Sequence, residues 1–157
     1  MTEIRGTLDA RGRRFAVAAA SFNEIVVGRL VEGAMACFRA HGIPEDDIVL
    51  AWVPGAFELP LLATRLAASG RYDAVVCLGA VIRGETPHFD YVAGEAARGI
   101  REAGTTTGVP VTFGVLTTET LEQALDRAGG KHGNKGWDAA LAAIQTASVL
   151  DQLPKEE

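Results

Sequence analysis

The sequence predicts an α/β fold of three layers, α/β/α: a four-stranded parallel sheet between two helical layers, with a short N-terminal strand ahead of it. Three observations carry the prediction. Strand-like apolar runs alternate with helix-period stretches four times, and one more helix follows. The run Ala74 to Ile82 is apolar without alternation, the mark of a strand covered on both faces. Turn formers fall at the junctions, as at Pro54-Gly55, Gly84 and Gly129-Gly130. Right-handed crossovers then place helices on both faces, and the expected strand order is flavodoxin-like.

The elements follow in order. Ile4, Gly6 and Leu8 alternate with polar residues in a short strand, too close to the next strand for a crossover helix. It fits a sheet edge, that of another subunit included. Arg14 to Ala20 is the first core strand, closed by Ser21, Phe22 and Asn23, with Asn23 able to cap the next helix. That helix carries Val27, Leu30, Val31, Ala34, Met35 and Phe38 on one stripe and stops at His41-Gly42. Ile48 to Val53 is the second strand, and Ala56 opens a helix to about Ser69.

The third unit is the most informative. After Ala74–Ile82 the chain breaks at Arg83 to Thr86. Thr86 is a good N-cap and Pro87 a good first helical residue, with His88 in the first turn. The helix is expected to reach about Ala103, with a polar turn from Thr105 to Gly108. Val109 to Thr117 is the fourth strand. Thr118 is expected to cap a helix to about Ala128, ended by Gly129-Gly130. Lys131 to Gly136 reads as a basic, glycine-rich loop, and a last helix runs from Trp137 to about Leu153.

A chain of 157 residues is expected to form one domain over 1–157. Its net charge of −5 argues against nucleic acid as a partner, because no basic surplus exists to displace counterions. Cys37 and Cys77 sit in apolar segments without metal spacing, which fits buried thiols in a reducing compartment. No segment approaches a membrane span and no apolar leader opens the chain. The expectation is a cytoplasmic protein without metal or membrane.

Parallel strands put their carboxyl ends on one rim, so Phe22, the Ala56–Glu58 turn and the stretch Val81 to His88 converge there. Phe22 and Phe57 offer flat faces to a planar ring. Glu58 can accept hydrogen bonds from hydroxyls, although acidic residues also favour a helix start for the dipole alone. The N–H groups of the turn after Ile82 make an anion site. His88 at a positive helix end is expected to be a neutral base, or else a solvated first-turn residue. Arg127 is the candidate cation for a phosphate, or a helix-terminal arginine facing the dipole. A Walker lysine motif, a G-x-G-x-x-G turn, a serine elbow and a rim cysteine are all missing. What remains is non-covalent acid–base chemistry on a ring ligand bearing or meeting one phosphate.

At these residues the chain resembles the lumazine synthase family. The matching segments are Ser21-Phe22-Asn23, Val53 to Pro60, Gly79 to Tyr91, Phe113 to Thr117 and Arg127 to Gly136, in the family's order. The resemblance implies that 5-amino-6-(D-ribitylamino)uracil condenses with 3,4-dihydroxy-2-butanone 4-phosphate to 6,7-dimethyl-8-ribityllumazine. Phosphate and water leave, and no cofactor or metal takes part. It implies that Phe22 stacks on the pyrimidine, that Glu58 with the backbone of Ala56 and Phe57 holds the ribityl chain, and that the backbone of Ala80, Val81 and Ile82 reads the uracil edge. Glu85, Thr86 and Arg127 would bind phosphate, and His88 would transfer protons. Phe113 would come from a neighbouring subunit, and Lys135 would lie near ribityl or phosphate. Pentamers are implied. The Gly129–Gly136 loop lacks the insertion associated with family members that stop at pentamers, so the resemblance further implies an icosahedral shell of pentamers, with association with riboflavin synthase as an added expectation. The rival readings are a flavin- or lumazine-binding module without turnover and a shell-forming paralogue.

Overall fold

The structure is a computed structural model and describes residues 1–155. Among them, β1 (Phe15–Ala20), β2 (Ile48–Val53), β3 (Ala74–Ile82) and β4 (Val111–Thr118) form one parallel sheet in the order β2-β1-β3-β4. The helices are α1 (Glu24–Ala40), α2 (Leu59–Ala68), α3 (His88–Thr107), α4 (Leu121–Asp126) and α5 (Lys135–Asp151). The three-layer fold read from the alternating strands and helices is the one observed.

Burial explains the layers. Every residue of β1 is buried. Phe15, Val17 and Ala19 pack into the core beneath α1 and α5, while Ala16, Ala18 and Ala20 pack into the core beneath α2 and α3. β3 divides the same way, with Val76 and Leu78 on one face and Val75 and Cys77 on the other. The Phe15 and Phe38 rings lie 4.7 Å apart, joining sheet to α1. Each such fully buried large side chain contributes about 1.5–3 kcal/mol of transfer free energy.

The ends of elements depart from expectation for identifiable reasons. The segment around Ile4 to Leu8 forms no strand here. It lies against α5, where Ser148 Oγ accepts from the Thr7 N–H at 3.0 Å and Gln152 Nε2 donates to the Arg5 carbonyl at 2.8 Å. Asn23 does not cap α1 with its side chain; it adopts a left-handed backbone, φ 62°. Helix α3 continues through the threonines to Thr107. Their hydroxyls donate back to carbonyls such as those of Glu102 and Ala103, at 2.7 and 2.6 Å, and so are satisfied inside the helix. Gly108 then ends it at φ 71°. Thr120 rather than Thr118 caps α4, in a reciprocal box with Gln123. The expected basic loop is a small antiparallel hairpin, β5 (Ala128–Gly130) and β6 (Gly133–Asn134).

That hairpin is pinned to α1. Asn134 Oδ1 accepts from the N–H groups of Gly136 and Trp137 at 2.8 and 3.1 Å, and its Nδ2 donates to the Arg29 carbonyl at 3.0 Å. The start of α5 lies so close that a Cβ on Gly136 would fall 1.9 Å from the Leu30 oxygen. Gly136→Ala must push two helices apart. We expect a loss of about 1–3 kcal/mol, seen as a lower urea midpoint at constant slope.

Candidate active site

The strand order reverses direction between β1 and β3, and the register shows what that opens. β1 pairs with β3 only as far as Ala19 against Leu78. β3 continues to Ile82, and β4 stays beside it to the pair Ile82 with Thr118. From Gly79 onward β3 therefore has no strand paired with it on its β1 side. This is the crevice where open α/β sheets bind ligands.

A cavity of about 600 Å³ occupies it. Of the residues expected at the site, Phe22, Ala56, Phe57, Glu58, Ala80, Val81, Ile82, Thr86 and His88 all line this cavity. Phe22 and Phe57 are 72% and 59% exposed, flat apolar faces that the chain itself leaves uncovered. Ala56, Ala80 and Val81 are buried residues of its wall.

Local bonds hold the walls. The N–H groups of Ser21 and Phe22 donate to the carbonyls of Val53 and Pro54, at 2.8 and 2.9 Å, which joins the β1 turn to the β2 turn. Asn23 Nδ2 donates to the Ala80 carbonyl at 3.0 Å. One strained residue thus ties Phe22 to the strand that carries Ala80, a use of left-handed backbone typical of functional sites. Asn23 was legible only as a helix cap, because nothing in sequence spacing points its amide at β3. Glu58 folds over Gly55, whose Cβ position would lie 3.2 Å from Glu58 Oε2.

His88 is the first residue of α3. Its N–H faces the Thr86 hydroxyl at 3.4 Å, so Thr86 serves the helix start from one position further out than expected. Pro87 takes the N-cap position. Glu85 is exposed in the same turn but does not line the cavity.

Phe113, Arg127 and Lys135 are elsewhere. They line a second cavity of about 430 Å³ on the free edge of β4, together with Thr118, His132 and Asp138. The two cavities share no lining residue. The Lys135 N–H donates to the Arg127 carbonyl at 2.8 Å, which joins the two residues through their backbones. Arg127 Nη1 donates to the Gln123 carbonyl at 3.0 Å, so the residue also closes α4. His132 and Asp138 escaped the sequence reading. Their only sequence signal was proximity to Lys135.

The electrostatics disfavour covalent thiol chemistry. Burial pushes the Cys77 thiol up to about 12 and the Cys37 thiol up to about 11, so neither supplies a thiolate. Among the described residues no group of three or more His, Cys, Asp or Glu is placed to hold a metal ion. What the first cavity offers is a ring platform, backbone hydrogen bonds, a carboxylate and an imidazole. What the second offers is Arg127 and Lys135 with an imidazole and a carboxylate beside an aromatic ring.

Known proteins point the same way. The family model for 6,7-dimethyl-8-ribityllumazine synthase matches residues 12–151. A protein of Desulfatibacillum aliphaticivorans named 6,7-dimethyl-8-ribityllumazine synthase is 52% identical over 149 residues, covering 95% of this chain and 96% of that one. One of Clostridium kluyveri with the same name is 49% identical over 153 residues, covering 98% of this chain and 99% of that one.

Proposed function

The chain belongs to the 6,7-dimethyl-8-ribityllumazine synthase family, and from that we infer its reaction. It is a transferase of riboflavin biosynthesis. It condenses 5-amino-6-(D-ribitylamino)uracil with 3,4-dihydroxy-2-butanone 4-phosphate, releasing phosphate and water to give 6,7-dimethyl-8-ribityllumazine. The observation that carries the reading is the crevice cavity, which gathers Phe22, Glu58 and His88 beside the end of β3 that β1 leaves unpaired. Mixing the two substrates with purified protein should produce the lumazine absorption band. A bound chromophore without condensation would overturn the reaction.

The roles follow from what each group can do. The uracil ring lies on Phe22, and the backbone of Ala80, Val81 and Ile82 reads its edge. The ribityl hydroxyls reach Glu58 and the backbone of Ala56 and Phe57. The N–H groups of the Glu85–Thr86 turn receive phosphate. The 5-amino group attacks the ketone and loses water to form an imine. Phosphate is then eliminated, and the ring closes with loss of the second water. His88 moves protons in these steps.

Phosphate also needs a cation, and the two expected cations, Arg127 and Lys135, lie in the other cavity. The site is therefore composite: a neighbouring subunit closes the crevice with its own Phe113, Arg127 and Lys135. Exposed Phe22, Phe57 and Phe113 support such an interface. Each chain acts as one domain with two half-sites, and a ring of subunits completes them all. Pentamers satisfy this, and the short β5–β6 hairpin supports their assembly into an icosahedral shell. A light-scattering mass of one pentamer would reject the shell alone. Association with riboflavin synthase is consistent with such a shell. The free buried thiols of Cys37 and Cys77 support a cytoplasmic location. Among the described residues, no helix is long and apolar enough to cross a membrane.

A further inference from the structure

We propose that Arg83 is a positioning residue for this reaction, a clamp that fixes the turn carrying Thr86 and His88 against the β4–α4 junction. The proposal rests on the reaction given above. Arg83 directly follows β3 and opens the turn. Its N–H donates to the Thr118 carbonyl at 2.9 Å, extending the β3–β4 ladder by one bond. Its guanidinium then reaches two carboxylates on different elements. Nη2 lies 3.2 Å from Asp90 Oδ1 in the first turn of α3, and Nε lies 3.0 Å from Glu119 Oε2 just before α4. The same guanidinium sits over the Phe89 ring, 4.3 Å from its centroid.

The geometry selects a positional role over direct binding. Two carboxylates pair with Nε and Nη2 of Arg83, and its side chain lines neither cavity. Phe89 and His88 are neighbours in the chain and both line the crevice cavity. Holding Phe89 and Asp90 therefore sets the start of α3, and with it the His88 imidazole and the turn N–H groups. Glu119 is followed by the Thr120 cap of α4, the helix that ends at Arg127. One side chain thus ties Phe89, in the wall of the crevice cavity, and Asp90 to the residue just ahead of the α4 cap. Exposed ion pairs add little to stability, so the effect belongs in kinetics, where a small misplacement of a reacting group is costly.

The test compares Arg83→Gln, Arg83→Lys and Glu119→Gln in the full-length assembled protein by initial rates. Arg83→Gln should lower kcat/KM for the butanone phosphate about tenfold. The pyrimidine KM should stay within about twofold, because Phe22, Glu58 and the β3 backbone lie outside the clamp. Arg83→Lys should recover only part, since an ammonium lacks the fork. Glu119→Gln should lose part of the same amount and add nothing in the double variant. Hydrogen exchange over residues 83–95 reads the turn without turnover and should rise about tenfold in Arg83→Gln. Unchanged exchange, or both KM values rising together with a lowered Tm, overturns the clamp. A wild-type protein without condensation, with exchange still raised in the variant, overturns the reaction and leaves the clamp standing.

Discussion

Replacing His88 by alanine should slow turnover about 10²-fold and still leave a measurable enzyme. The imidazole sits at the first position of α3, beside the turn proposed to receive the phosphate. General acid–base assistance is worth about 10²–10⁴-fold. Holding two reactants in one geometry can supply roughly 7–11 kcal/mol, a far larger share. In His88→Ala the walls of the crevice remain, because Phe22, Glu58 and the β3 backbone are held by bonds that do not involve His88. Initial rates should therefore show a lower kcat with a nearly constant pyrimidine KM. Loss of all turnover with substrate binding intact would mean that the imidazole does more than shuttle protons.

Arg127→Ala should act on the other substrate. A charge-assisted hydrogen bond is worth about 1.5–3 kcal/mol, so the KM for the butanone phosphate should rise by one to two decades, by about 10- to 100-fold. An unchanged KM would remove Arg127 from the phosphate site. Because Arg127 and His88 line different cavities of one chain, the two variants also complement. Assemblies refolded from an equal mixture of His88→Ala and Arg127→Ala subunits should contain intact sites at about a quarter of random interfaces. Activity above the average of the two variants is the expected outcome. Activity no higher than that average would place both residues in the same subunit's site.

Periodicity and turn chemistry made most of the fold legible. β2 and β3 have the bounds their apolar runs announced, since a buried strand leaves no choice about which residues are covered. Thr105 to Thr107 misled because a threonine tract reads as a turn, whereas each hydroxyl here bonds back to its own helix. The hairpin at Ala128 to Asn134 is too short for any pattern to register. The rim argument placed Phe22, Glu58 and His88 correctly in one cavity, because shared strand polarity guarantees a common edge. It did not place Arg127 there. Topology says which end of a sheet a loop occupies, but α4 carries Arg127 off the β4 edge, away from the crevice. In the proposed composite site a second chain brings it back, and no hydrophobic period encodes that chain. Arg83 was visible as a turn residue, while its pairing with Glu119 needed coordinates.

The overhang of β3 past Ala19 has a consequence for how this enzyme can change. Under the proposed recognition by main-chain atoms, exchanging side chains at Ala80, Val81 or Ile82 alters shape around the reader without erasing it. Preference for the pyrimidine should then drift little under random substitution. It should shift abruptly when a residue is inserted or deleted between Gly79 and Arg83, which slides every carbonyl and amide to a new address.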